Sequence, residues 1–174
     1  MPDAIFVAAS ESDYAAFAQL VRQYADWCRA RYREDSWFVD QALGHQSFDH
    51  ELEALPTAYG APKGKAFLAR RGEEIIGCCA YRSLSDKICE MKRLFVPDRS
   101  RGHGIGRKLC ETVIADAHLA GFELMRLDTG NRLTEAISLY ESIGFRRCVP
   151  YSQYPERLMQ YLVFMERPLT AADS

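Results

Sequence analysis

The stretch Arg101-Gly102-His103-Gly104-Ile105-Gly106 lies between an apolar run, Ile88–Val96, and a segment whose apolar residues Ile105, Leu109, Val113 and Ala117 recur every four positions. The pattern reads as strand, glycine-rich loop, amphipathic helix. Residues without side chains let backbone amides close around an anion, and the first helical turn adds unpaired N–H groups and the positive end of the helix dipole. Such a loop suits a ligand that carries phosphate. A dinucleotide fingerprint needs a third glycine at a position that is Arg107 counted from Gly102 and Leu109 counted from Gly104. A P-loop ends in Gly-Lys-Ser/Thr, whereas Gly106 is followed by Arg107 and Lys108, and Gly64-Lys65 runs into Ala66. Both motifs fail on spacing. The alternative for the cluster alone is a tight turn that starts a helix.

Upstream, Ala66–Ala69 and Ile75–Tyr81 flank the polar interruption Arg71-Gly72-Glu73-Glu74, which predicts an antiparallel hairpin, and Ile88–Val96 makes a third strand. Downstream, Gly121 ends the helix, Phe122–Leu127 returns as a strand, and Ala136, Leu139, Tyr140 and Ile143 mark a second helix closed by Gly144. Leu158–Met165 is read as the last strand. At the other end, Ile5–Ala9 reads as a strand, and Ser10 and Asp13 have the spacing of a helix-start box. Phe17, Leu20, Val21, Tyr24 and Trp27 then form one stripe of a long helix. Ser36–Leu55 reads as a broken or second helix, and Pro56–Lys65 as a connecting loop. The resulting order, β-α-α-β-β-β-α-β-α-β-β, mixes hairpins with crossovers and predicts a single α+β domain over residues 1–174, built on a mixed sheet.

The chain has 174 residues, of which 48% are apolar, and a formal net charge of −2, so it can bury a core and has no broad basic field. Nucleic acid is not an expected partner. None of the six cysteines, Cys28, Cys78, Cys79, Cys89, Cys110 and Cys148, forms a Cys-x-x-Cys pair, so no metal is expected and a reducing compartment fits. Cys78 and Cys79 are adjacent in a strand and should face opposite sides of the sheet. The start has no basic stretch leading into an apolar run, and no apolar stretch approaches about 18 residues. The expectation is a cytoplasmic protein with no membrane partner; a homodimer stays open.

Taken with Glu90-Met91-Lys92-Arg93-Leu94-Phe95-Val96-Pro97 before it and Ala136–Phe145 after it, the glycine loop resembles that of the GNAT N-acetyltransferase superfamily. The family signature Arg/Gln-x-x-Gly-x-Gly/Ala is matched by Arg101, Gly104 and Gly106. Its helix ending Leu-Tyr-x-x-x-Gly-Phe is matched by Leu139, Tyr140, Gly144 and Phe145. The resemblance covers Ala66–Met165. It implies a mostly antiparallel sheet, flanked by helices, that is splayed between its central parallel strands. It also implies acetyl-CoA as co-substrate, with the pyrophosphate on the amides of Arg101, Gly102, His103, Gly104, Ile105 and Gly106. The side chain of Arg101 would add charge, Arg107 and Lys108 would either do the same or form a solvated basic helix face, the face being the reading for Lys108, and the pantetheine arm would pair like a strand with Leu94, Phe95 and Val96. Pro97, lacking an N–H, should help end its strand where the parallel strands part. The chain departs from the family at Leu133, where many members carry an asparagine; Asn131 lies two residues earlier.

Acetyl transfer needs a neutral amine, a stabilised oxyanion and a proton for the departing thiolate. The resemblance places Tyr140 as the proton donor, and a phenol with a reference pKa of about 10 is protonated at neutral pH. Its alternative is a packed core tyrosine. Glu90 is the candidate base, in a position resembling the glutamate of some family members; by alternation it shares a sheet face with Lys92, so its alternative is an ion pair. Backbone N–H groups near Leu94–Val96 would hold the oxyanion. Tyr151 and Tyr154 are candidates for the wall of the acceptor pocket. The expected activity is direct acetyl transfer from acetyl-CoA to an amine of a small molecule or peptide. The alternative is a non-catalytic acyl-CoA-binding sensor, which would need neither Tyr140 nor Glu90.

Overall fold

Ser10 Oγ accepts the Asp13 N–H at 3.1 Å while Asp13 Oδ2 accepts the Ser10 N–H at 2.9 Å, a reciprocal cap that starts helix α1 (Glu11–Tyr32) soon after strand β1 (Asp3–Val7). The computed structural model describes residues 3–173; Met1, Pro2 and Ser174, included in the domain read from the sequence, lie outside the described residues. The segment expected as a broken helix is three pieces, α2 (Ser36–His45), α3 (Phe48–Glu53) and α4 (Leu55–Ala58). The last takes Pro56 into its first turn, where a missing N–H is not needed, so the loop expected from Pro56 is shorter than the sequence suggests.

Strands β2 (Gly64–Arg71), β3 (Glu74–Ser83) and β4 (Ile88–Phe95) precede helix α5 (Ile105–Leu119). Then come β5 (Leu124–Gly130), α6 (Thr134–Ser142), the two-residue β6 (Arg146–Arg147), α7 (Glu156–Met159) and β7 (Leu162–Pro168). The final strand begins later than its apolar run, because Pro155 starts a helical turn that buries Leu158 completely.

The seven strands form one sheet in the order β1-β2-β3-β4-β5-β7-β6, with only β4 and β5 parallel. Cores lie on both faces. Leu68, Cys78 and Ala80 pack toward α1 and α2, whereas Phe67, Ala69, Cys79 and Tyr81 pack toward α5. Cys78 and Cys79 thus face opposite sides, as strand alternation requires.

The parallel pair is short. Ile88, Cys89 and Glu90 pair with Leu124, Met125 and Arg126, and from Met91 onward β4 and β5 part. Pro97 lies well past this point. The local irregularity is a bulge. Ala80 pairs with Lys92 but Cys78 with Phe95, so β4 carries an extra residue, and Arg93 adopts a left-handed φ of 60°. The Arg93 side chain is buried, with Nε and a terminal nitrogen 2.8 and 2.9 Å from the two Glu51 carboxylate oxygens. Tyr59 donates to the same carboxylate at 2.8 Å. α3 therefore clamps the bulge that accompanies the splay.

Candidate active site

Gly102 and Gly104 have φ values of 85° and 73°, which an L side chain rarely adopts, and a Cβ built at either would meet nothing within 4 Å. Their backbone therefore faces open space just before the α5 N-terminus, where the first N–H groups have no partner within the helix. Beside them runs a groove of ≈ 340 Å³. Leu94, Phe95 and Val96 of the β4 end, and Arg101, Gly102, Gly104, Ile105, Gly106 and Arg107 of the loop and helix start, all border it. His103 does not border it and is exposed, its Nδ1 3.0 Å from the Arg101 carbonyl. Two arginines expected at phosphate are held by protein groups. Arg101 donates to the Val96 carbonyl at 2.8 Å and stacks 4.5 Å over the Trp27 ring, and Arg107 donates to Ser142 Oγ at 2.7 Å.

A second cavity, ≈ 80 Å³, lies where β4 and β5 separate. Tyr24, Leu94, Thr129, Leu133 and Tyr140 line both spaces, so the two share a wall. Tyr140 is 7% exposed and packs edge-on to Phe145, and burial pushes its phenol well above the ordinary tyrosine value. The hydroxyls of Tyr32, Tyr59, Tyr81, Tyr151 and Tyr154 each donate to a neighbour. That of Tyr140 has no hydrogen-bond partner among the described residues.

Glu90 is not brought to this wall. Its carboxylate is 3.0 Å from an Arg82 terminal nitrogen and 3.7 Å from Lys92 Nζ, and it accepts the Tyr151 hydroxyl at 2.8 Å. Although burial opposes ionisation, Lys92 and Arg82 hold the carboxyl below its usual value. Glu90 opens onto a separate depression with Arg126 and Tyr151. The shared face with Lys92 is as alternation predicts.

Sequence reasoning missed Asp128. It lines the splay cavity, where its Oδ2 accepts the Tyr154 hydroxyl at 2.9 Å. Its place two residues before Gly130, on the strand that parts from β4, is the signal that could have found it. Trp27 and Tyr24 reach the groove from the apolar stripe of α1. Asn131 is engaged elsewhere, its side chain accepting from Tyr32 at 3.1 Å and donating to the Gln160 carbonyl at 3.1 Å. Leu133, in the position of the family asparagine, instead lines both cavities. Among the described residues no group of three or more His, Cys, Asp or Glu side chains is placed to hold a metal ion, and no helix is long and apolar enough to cross a membrane.

A seven-stranded mixed sheet that parts between its two parallel strands, with helices on both faces, is a GNAT fold. Residues 22–145 match the model of the Acetyltransferase (GNAT) family, and the chain belongs to that family. It is 36% identical over 115 residues to an uncharacterised N-acetyltransferase of Schizosaccharomyces pombe, covering 65% of this chain and 71% of that one. The fold matches an acetyltransferase structure from Streptococcus agalactiae with a TM-score of 0.74 at 21% identity, over 96% of this chain and 98% of that one. It also matches a GNAT acetyltransferase from Elizabethkingia anophelis solved with acetyl-CoA bound, with a TM-score of 0.52 at 24% identity, over 62% of this chain and 77% of that one.

Proposed function

We propose that this chain is an N-acetyltransferase that moves acetyl from acetyl-CoA directly to the amine of a small molecule or peptide. The observation that carries the reading is the shared wall. Tyr140, with an unpartnered hydroxyl, stands between a groove that begins at an open glycine loop and a separate cavity at the splay. A non-catalytic CoA sensor needs the groove but not a free phenol at its inner end. The groove fits acetyl-CoA, because Gly102 and Gly104 leave clear the space that side chains would fill and the α5 start offers backbone N–H donors. Bound there, acetyl-CoA supplies an activated acetyl thioester.

The residues then divide the work. The amides of residues 102–106 take the pyrophosphate, His103 contributing through its backbone alone, and the backbone beside Leu94–Val96 takes the pantetheine arm. Backbone N–H groups near Leu94–Val96 receive the developing oxyanion. Asp128, which lines the cavity, takes the proton that leaves the acceptor ammonium; Glu90, ion-paired away from the shared wall, fixes Lys92 and Tyr151. The amine nitrogen forms a bond to the acetyl carbon as the carbon–sulfur bond breaks. Tyr140 gives its proton to the sulfur and regains one from the new amide nitrogen. The phenol is a weak acid here, and the burial that makes it so also raises the proton affinity of the thiolate beside it.

Free thiol released from acetyl-CoA, measured across amines, amino acids, polyamines and peptides, tests the activity. Thiol release that depends on one acceptor class is expected. Tight CoA binding with no release for any class contradicts the enzyme and favours the sensor.

A further inference from the structure

The splay cavity has two charged poles that do not meet. Lys92 Nζ, on a side chain 5% exposed, donates to Gln46 Oε1 at 3.2 Å and lies 3.7 Å from Glu90. Asp128 accepts the Tyr154 hydroxyl, and among the described residues no cation is within ion-pair distance of it. Both side chains line the same cavity. Arg93 is matched by both oxygens of Glu51, whereas Lys92 and Arg82 share the single carboxylate of Glu90, so that cluster keeps one net positive charge. Gln46 donates to the Tyr154 hydroxyl at 2.9 Å, so a chain of hydrogen bonds runs Lys92–Gln46–Tyr154–Asp128 and fixes the separation of the poles. Burial and the charges of Arg93 and Arg82 disfavour the charge on Lys92, and Asp128 and Glu90 favour it, but no ion pair within 4.0 Å joins Lys92 to Asp128 among the described residues. A plain amine would neutralise Asp128 and place a second cation near Lys92. A plain carboxylate would do the reverse. A molecule with both charges completes both poles.

Building on the acetyl-transfer reading above, we propose that the acceptor is a small amino acid or amino-acid-like zwitterion, its carboxylate on Lys92 and its ammonium on Asp128. The cavity is about a quarter of the volume of the groove, which suits a compact acceptor. Thr129, next to Asp128 on β5, is part of the shared wall, so the ammonium pole borders the side that opens to the thioester. Asp128 takes one proton from the ammonium and releases it to water after transfer. The nitrogen forms its bond to the acetyl carbon, sulfur leaves with the electron pair and takes the Tyr140 proton, and the nitrogen returns one proton to Tyr140. The products are the N-acetyl amino acid, free CoA and one proton.

The test compares an amino acid, its primary amide and its decarboxylated amine as acceptors, for the wild type and Lys92→Met, with CoA affinity measured by calorimetry on both proteins. The wild type should prefer the amino acid by at least about tenfold in kcat/KM, because a buried partner left unmatched penalises the analogue that lacks the group. Lys92→Met should bind CoA normally and lose that preference through KM. Equal or better use of the amide or the amine by the wild type overturns the zwitterion, as does unchanged discrimination in Lys92→Met. If CoA binds and plain amines or peptides are acetylated instead, the zwitterion falls while acetyl transfer stands. If CoA does not bind at all, the acetyl-transfer reading fails first.

Discussion

A buried phenol whose hydroxyl has no protein partner holds its proton until a strong base forms beside it, and Tyr140 meets that description at the wall between the two spaces. Tyr140→Phe keeps the packing against Phe145 and removes only the hydroxyl. Turnover should fall by roughly 10²–10⁴, the usual contribution of a positioned acid or base, while CoA affinity stays near wild type. Unchanged kcat would remove Tyr140 from the chemistry. Gly104→Glu should show the opposite split. It forces a side chain into a left-handed φ and sets a negative charge where phosphate belongs, so CoA affinity should drop. Calorimetric affinity equal to wild type would contradict the role given to the loop. Gly104 and Tyr140 carry a local signature, so the sequence is enough to propose them for the site. Asp128 carries none, because a single carboxylate on a strand looks like any half-exposed acid until the sheet opens beside it.

At the scale of elements, hairpins and helices follow from short-range signals: the Ser10–Asp13 cap, the alternation of Cys78 and Cys79, the four-residue repeat of α5. The start of the splay does not. Pro97 is the local signal, yet the strands part before it, alongside a bulge at Arg93 whose side chain is held by Glu51 from α3, far away in sequence. Only tertiary structure brings that pair together. Glu51→Gln leaves the buried Arg93 charge without a partner and should cost about 3–5 kcal/mol of stability in denaturant unfolding. If the cost is near zero, the clamp does not hold the bulge. The late start of β7 has a similar origin, since Leu158 is apolar enough for a strand but fills the core from a helical turn after Pro155.

For the whole molecule, the carboxyls of Glu51 and Asp173 are held below their ordinary values of 4.5 and 3.8. For Glu51, burial is the largest influence and opposes this, and the hydrogen bonds and charge of Arg93, the Tyr59 hydrogen bond and the Lys92 charge together outweigh it; for Asp173, the Arg167 hydrogen bonds lead. Groups with lowered folded pKa values bind protons more readily in the unfolded chain, so their stabilisation is complete above those ordinary values and is lost as pH falls through the lower, folded ones. The urea midpoint should therefore decline as pH drops below about 4.5, and less steeply in Glu51→Gln. A midpoint independent of pH in that range would show that these ion pairs contribute nothing to the fold.

The crystal structure of the protein soaked with coenzyme A tests the central claim most directly. The pyrophosphate should lie against the amides of residues 102–106, with the pantetheine arm along Leu94–Val96 and its sulfur beside Tyr140. Coenzyme A bound elsewhere, or a glycine loop packed shut against α6, would contradict it.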